Sequence, residues 1–138
     1  AAWDIVKRTV AYTNHTVMSE ALESWSCDLF RMRLPRIYQI VEEIDHRFWE
    51  EMRRKGVDEA KIYRMAPISD GYVKMANLAV IGSHNVNGVS ALHSEILKDS
   101  VFHDFYEEMP QKFTNVTNGI AHRRWLNQSN PELASLLT

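Results

Sequence analysis

Residues 34–55 constrain the chain more than any other stretch. Ile37, Ile40, Val41, Ile44, Phe48 and Met52 fall on one face at helical spacing, the pattern of an amphipathic helix with a single apolar stripe. Pro35 suits the first turn, where its missing N–H costs nothing. Glu43 with Arg47, Glu50 with Arg54 and Glu51 with Lys55 are i,i+4 pairs in the favourable orientation. Arg53, Arg54 and Lys55 suit the negative end of the helix, and Gly56 suits its stop.

The remainder is also mostly helical. Residues 2–11 carry Trp3, Val6 and Val10 near helical spacing. Residues 12–18 are β-branched and polar, which predicts a short extended piece and a turn. Ser19 is expected to cap a short helix through Trp25, although Leu22 stands where a capping box needs Glu or Gln. Asp58 is expected to cap a helix ending at Met65. Residues 67–71 read as a loop. The apolar run 75–81 is either strand or buried helix, and periodicity does not choose. Residues 82–88 read as a turn. Asn87 is expected to cap a helix whose face holds Val89, Leu92, His93, Ile96 and Leu97. Pro110 breaks a short helix, residues 113–116 look extended, and Asn118-Gly119 signals a turn. Residues 123–128 and 131–137 look helical.

With 138 residues the chain has material for one compact core. Its formal charge of −2 offers no basic field for nucleic acid or an acidic membrane. No apolar run approaches the ~20 residues of a membrane span, and no signal peptide opens the sequence. The single Cys27 fits a reducing compartment such as the cytoplasm. The chain opens on helix-like residues with neither an initiator Met nor a cap, and closes on Leu136-Leu137-Thr138 with no stop signal. An internal fragment of a longer chain is the expectation.

Three polar clusters interrupt this pattern: Thr13-Asn14-His15-Thr16, residues 82–88, and Thr117-Asn118-Gly119. Each ends an apolar run, where side chains can reach a cleft from a rigid base. His15 has the chemistry of a general base, a metal ligand or a hydrogen-bonding contact. A structural turn histidine is the commoner case, and His84 is weighed the same way. His93 shares a face with apolar residues and is expected to be a satisfied core histidine. No His-Glu-x-x-His or Cys-x-x-Cys occurs, so no metal site is expected. Gly82-Ser83-His84 is not a nucleophile elbow, and no Gly-Lys-Ser/Thr follows the 82–88 stretch. Arg123-Arg124-Trp125 is either a solvated turn with a core tryptophan or a flat wall for a planar group.

Taken in order, several segments resemble the glycogen (α-glucan) phosphorylases. They are Ala11-Tyr12-Thr13-Asn14-His15-Thr16-Val17, Glu20-Ala21-Leu22-Glu23, Leu34-Pro35-Arg36, Gly82-Ser83-His84-Asn85-Val86-Asn87-Gly88-Val89, His93-Ser94-Glu95-Ile96-Leu97-Lys98, Thr117-Asn118-Gly119-Ile120 and Arg123-Arg124-Trp125-Leu126. The resemblance implies a predominantly α-helical fragment with a few short strands, cut from a two-domain α/β glycosyltransferase of the GT-B type with Rossmann-like domains. Residues 1–118 would end the N-terminal catalytic domain and residues 119–138 would begin the C-terminal, cofactor-binding one. The implied activity is release of glucose 1-phosphate from terminal α-1,4-linked glucose by inorganic phosphate. The implied partners are an α-1,4-glucan and phosphate, and a second copy of the full-length chain.

By the same resemblance, His15 and Asn118 bind the glucose 6-hydroxyl, Val89 lines the pocket, and Trp125 stands beside pyridoxal phosphate. Glu20 and Ala21 belong to an entrance loop, residues 16–23. No catalytic acid or base is expected within this chain. The family's cofactor lysine sits in a Gly-Asn-Met-Lys-Phe context. None of Lys7, Lys55, Lys61, Lys74, Lys98 or Lys112 has that context, so the isolated chain is expected to be inactive. Met18-Ser19 and Ala121-His122 depart from the family's Leu-Pro and Thr-Pro. The competing reading is a helix-rich structural or interaction domain without catalytic activity.

Overall fold

A computed structural model describes residues 2–137. It is mostly helical, and its short strands form two three-stranded sheets. The long helix α3 spans Pro35–Arg54 with Pro35 in its first turn. Gly56 follows at φ 77°, a left-handed conformation that glycine adopts without a Cβ penalty. Val41, Phe48 and Met52 are buried, whereas Ile37 and Ile40 are 47% and 44% exposed. The expected stripe is thus buried only from Val41 onward. Before that, Tyr38 turns inward, tilted against Phe30 at 6.2 Å, and its hydroxyl accepts from Arg31. Arg47–Glu43 (2.6 Å) and Lys55–Glu51 (3.1 Å) pair as expected. Glu50 lies against His46 at 3.5 Å, not against Arg54.

Helix α1 is Ala2–Thr9, and α2, Cys27–Arg33, packs on α3. Helix α4 spans Glu59–Met65. The Asp58 carboxylate caps it, accepting from the N–H groups of Ala60 (3.0 Å) and Lys61 (3.3 Å). The ambiguous apolar run is helix α5, Met75–Gly82, which buries Ala76, Val80 and Ile81. Helix α7 is His103–Glu108, and Pro110 opens a 3₁₀ turn, Pro110–Lys112. Helices α8, His122–Ser129, and α9, Pro131–Leu137, pack against each other.

The expected helix from Ser19 to Trp25 does not form. Ser19–Ala21 is a single 3₁₀ turn, Ser24–Ser26 is strand β2, and helix begins only at Cys27. Ser19 offers no side-chain cap. Strand β2 instead pairs with β4, Tyr72–Lys74, which pairs in turn with β3, Ile68–Ser69. The expected turn at 82–88 is also corrected. Asn85–Gly88 is strand β5, the centre of a parallel sheet with β1, Ala11–Thr13, and β6, Phe113–Asn115. Asn87 therefore cannot cap the next helix. Helix α6 is Ala91–Ile96, and the Ser90 hydroxyl caps it by accepting from the His93 N–H. Leu92, placed on the buried face by its spacing, is 73% exposed. Helix α6 continues as a π-helical turn, Leu97–Val101.

The main core gathers Phe48, Met52, Ile62, Met65, Val80, Val86, Leu97, Phe102, Phe105 and Phe113. It lies between α3, α4, α5, α7 and the parallel sheet, so Val86 in the middle strand is fully enclosed. Lys61–Glu107 (2.8 Å) and Arg64–Asp104 (2.7 Å) tie α4 to α7. The Arg64 guanidinium holds the Asp104 carboxyl below its usual range. Burial pushes the Asp45 carboxyl up, although it accepts from the Ile68 N–H at 3.0 Å.

Candidate functional site

The parallel sheet decides where the predicted residues meet. All three strands point the same way, with Thr13 beside Asn87 and Gly88 beside Asn115. Their carboxyl ends therefore share one edge, where open α/β sheets bind ligands. His15 follows β1, Val89 follows the middle strand β5, and Asn118 follows β6. Main-chain bonds join these segments. The Asn14 N–H donates to the Asn87 carbonyl (3.0 Å), Val116 to Gly88 (3.1 Å) and Asn118 to Val89 (2.9 Å).

Side chains beneath the edge complete the base. Asn14 is only 2% exposed. Its Oδ1 accepts from the Thr16 N–H (2.9 Å), and its Nδ2 donates to the Tyr12 hydroxyl (3.1 Å). This Asx turn faces Asn14 inward and leaves His15 exposed. The Thr13 hydroxyl donates to Asn87 Oδ1 at 2.9 Å. Ser94 Oγ lies 2.7 Å from Asn115 Oδ1, and Asn115 Nδ2 donates to Thr117 Oγ1 at 3.0 Å. From sequence, Asn14 is expected only as part of the polar cluster at 13–16 and Asn87 only as a helix cap, and Asn115 and Ser94 carry no individual role. The signal the asparagines share is their place at the carboxyl ends of the strands: Asn14 just after β1, Asn87 one residue before the end of β5, and Asn115 at the end of β6.

The rims differ. The side chains of His15 and Asn118 are exposed and have no hydrogen-bond partner among the described residues. Val89 is half-buried. Glu20 and Ala21 lie in the exposed 3₁₀ turn beyond His15. His84 is structural: its Nδ1–H and its main-chain N–H both donate to the Val10 carbonyl, at 2.8 and 2.9 Å. His93 has both ring nitrogens engaged, the satisfied histidine expected of it. Trp125 stands on α8, 59% exposed. It is therefore not a core tryptophan.

A cavity of about 210 Å³ lies elsewhere, between α1, α3 and the Pro110–Lys112 turn. Lys112 borders it, donating to the Val80 (3.0 Å) and Ile81 (3.3 Å) carbonyls at the end of α5; burial lowers its pKa. Among the described residues no three His, Cys, Asp or Glu side chains gather as a metal site, and no helix is long and apolar enough to cross a membrane.

Known proteins resemble this chain over nearly all of its length. Glycogen phosphorylase of Bacillus subtilis (strain 168) is 50% identical over 99% of the chain. The muscle form of glycogen phosphorylase of Homo sapiens is also 50% identical over 99% of it. So is alpha-glucan phosphorylase 2, cytosolic, of Arabidopsis thaliana. The chain spans 17% of the length of each of these relatives. Because the carbohydrate phosphorylase family matches residues 1–138, the whole of this chain, the chain belongs to that family.

Proposed function

We propose that this chain supplies the glucose-holding edge of an α-glucan phosphorylase, which releases glucose 1-phosphate from terminal α-1,4-linked glucose using inorganic phosphate. The observation that carries the reading is the shared strand edge. Two exposed, unpartnered polar side chains, His15 and Asn118, follow the outer strands, with Val89 between them at the end of the middle strand. A neutral hexose presents only hydroxyls. Its recognition needs fixed neutral groups that both donate and accept, as imidazole and carboxamide do. Each such bond is worth about 0.5–1.5 kcal/mol net. A missing hydroxyl leaves buried partners unpaired, which can cost a factor of ~10⁴ in selectivity.

In this reading His15 and Asn118 hold the 6-hydroxyl and position the sugar for the transition state. Neither transfers a proton. Glu20 and Ala21 border the entrance. The domain boundary falls near Asn118-Gly119. In support, α8 buries no residue and α9 buries only Ala134. The second wall of the cleft and the acid–base groups come from the rest of the enzyme, so the isolated chain does not turn over glucan. The full-length enzyme is a cytosolic homodimer.

Pyridoxal phosphate fits this chain on one side only. The exposed indole of Trp125 suits the flat face of its ring. When bound, the cofactor's phosphate group supplies proton relay to the substrate phosphate. The lysine that holds it comes from outside this chain, because no lysine here stands in the family's Gly-Asn-Met-Lys-Phe context. Lys7 lies over Trp3, and Lys112 binds main-chain carbonyls. Lys55, Lys61, Lys74 and Lys98 pair with acidic residues.

The test is His15→Ala and Asn118→Ala in the full-length enzyme, assayed with glucose 1-phosphate and its 6-deoxy analogue. Each variant should lose kcat/KM on the natural sugar and almost none on the analogue. Equal losses on both sugars would rule out the 6-hydroxyl contact.

A further inference from the structure

We propose that His93 is a positioning residue for the sugar pocket, clamping the loop that carries His15 to the turn that carries Val89. The inference rests on the proposed glucose site and assigns a residue that never touches the sugar. His93 lies in the first turn of α6, half-buried, with its own N–H held by the Ser90 hydroxyl at 3.1 Å. Its ring Nδ1 is 3.0 Å from the main-chain nitrogen of Val89. A peptide N–H can only donate, so Nδ1 carries the lone pair. The ring hydrogen is therefore on Nε2, which lies 3.2 Å from the Thr16 carbonyl and donates to it. One tautomer satisfies both bonds.

These two bonds join what the sheet leaves separate. Beyond Asn14, residues 15–18 are otherwise held by local turns: Thr16 N–H to Asn14 Oδ1, and Met18 N–H to Thr16 Oγ1 at 3.2 Å. The Thr16 carbonyl, one residue past His15, is the point where a distant element reaches this loop. Val89 is gripped from both sides, its N–H by His93 and its carbonyl by the Asn118 N–H. The imidazole of His93 thus links, through a few bonds, the segments that follow all three strands. Both of its nitrogens are engaged, so it has none left for substrate or metal. Its effect on the sugar passes through His15 and Val89.

The side chain can be dissected chemically. Asparagine at 93 keeps a short acceptor for Val89 but cannot reach Thr16. Glutamine reaches Thr16 with a donor. The experiment uses the full-length enzyme with His93→Ala, His93→Asn and His93→Gln, alone and combined with His15→Ala. Steady-state kcat and KM are measured for glucose 1-phosphate and its 6-deoxy analogue, with hydrogen exchange at the amides of residues 16–18.

His93→Ala and His93→Asn should lower the preference for the 6-hydroxyl about two- to tenfold and speed exchange at 16–18. His93→Gln should recover both in part. Adding His93→Ala to His15→Ala should lower the preference no further. If His15→Ala lowers the preference while His93→Ala does not, or if exchange at 16–18 is unchanged, the clamp is refuted and the pocket stands. If His15→Ala leaves the preference unchanged, the glucose reading fails; exchange at 16–18 then still decides whether His93 orders the loop. Loss of folding in His93→Ala alone would not protect the proposal, because His93→Asn and His93→Gln must still differ in both readouts.

Discussion

Gly88→Ala puts the site's foundation under direct load. Gly88 ends β5 where α6 crosses closest. A Cβ built there would lie 2.6 Å from Ser94 Oγ and 2.9 Å from both the Cα and the main-chain N of Ser94. The hydroxyl can rotate away, but the helix backbone cannot. Overpacking by one methyl usually costs about 1–3 kcal/mol, and contact with backbone places this case at about 2–3. The strain falls on the strand end that builds the site, since the Gly88 carbonyl accepts from Val116 and the next carbonyl, of Val89, accepts from Asn118. Native-state hydrogen exchange reads it. Protection at the amides of Asn14, Val116 and Asn118 should fall about 30- to 150-fold, the equivalent of that cost. Ser94→Ala added to Gly88→Ala should rescue little, because the Cα and N contacts remain. Gly119→Ala is the control, having no atom within 4 Å of its added Cβ. Unchanged protection in Gly88→Ala would refute the claim that α6 and β5 are locked by backbone contact.

Two further substitutions probe the same framework. Asn14→Ala removes a buried amide that serves Thr16 and Tyr12; it should destabilise by about 1–3 kcal/mol and accelerate exchange at residues 16–18, as thermal denaturation and exchange would record. Asp45→Asn keeps an acceptor for the Ile68 N–H but removes a carboxylate that burial disfavours. A carboxyl raised in the folded state contributes stability below its unfolded pKa and loses it as pH rises through the folded one. The asparagine variant should therefore melt higher than the parent near neutral pH, and that advantage should disappear in acid. A constant difference across pH would count against burial as the cause.

Local chemistry made much of the helical framework legible from the residues alone. The stripe of α3, Pro35 at its start, Gly56 at its end and the Asp58 cap each act within a few positions. Such signals survive without knowledge of partners. The family was legible too, from motif order. The parallel sheet was not. Strand β5 reads Asn-Val-Asn-Gly, a turn composition with no strand alternation, and its partner β1 lies 74 residues away in register. Its extended form comes from pairing on both sides and from the core that encloses Val86. Asn87 lost its expected capping role for the same reason. In the same way, Ser19 could not hold a helix against the pairing of β2 with β4. Sequence by itself determined which elements could form and which family they serve. Tertiary structure decided that His15, Val89 and Asn118 share one edge, because parallel strand pairing is nonlocal and no window of neighbouring residues encodes it.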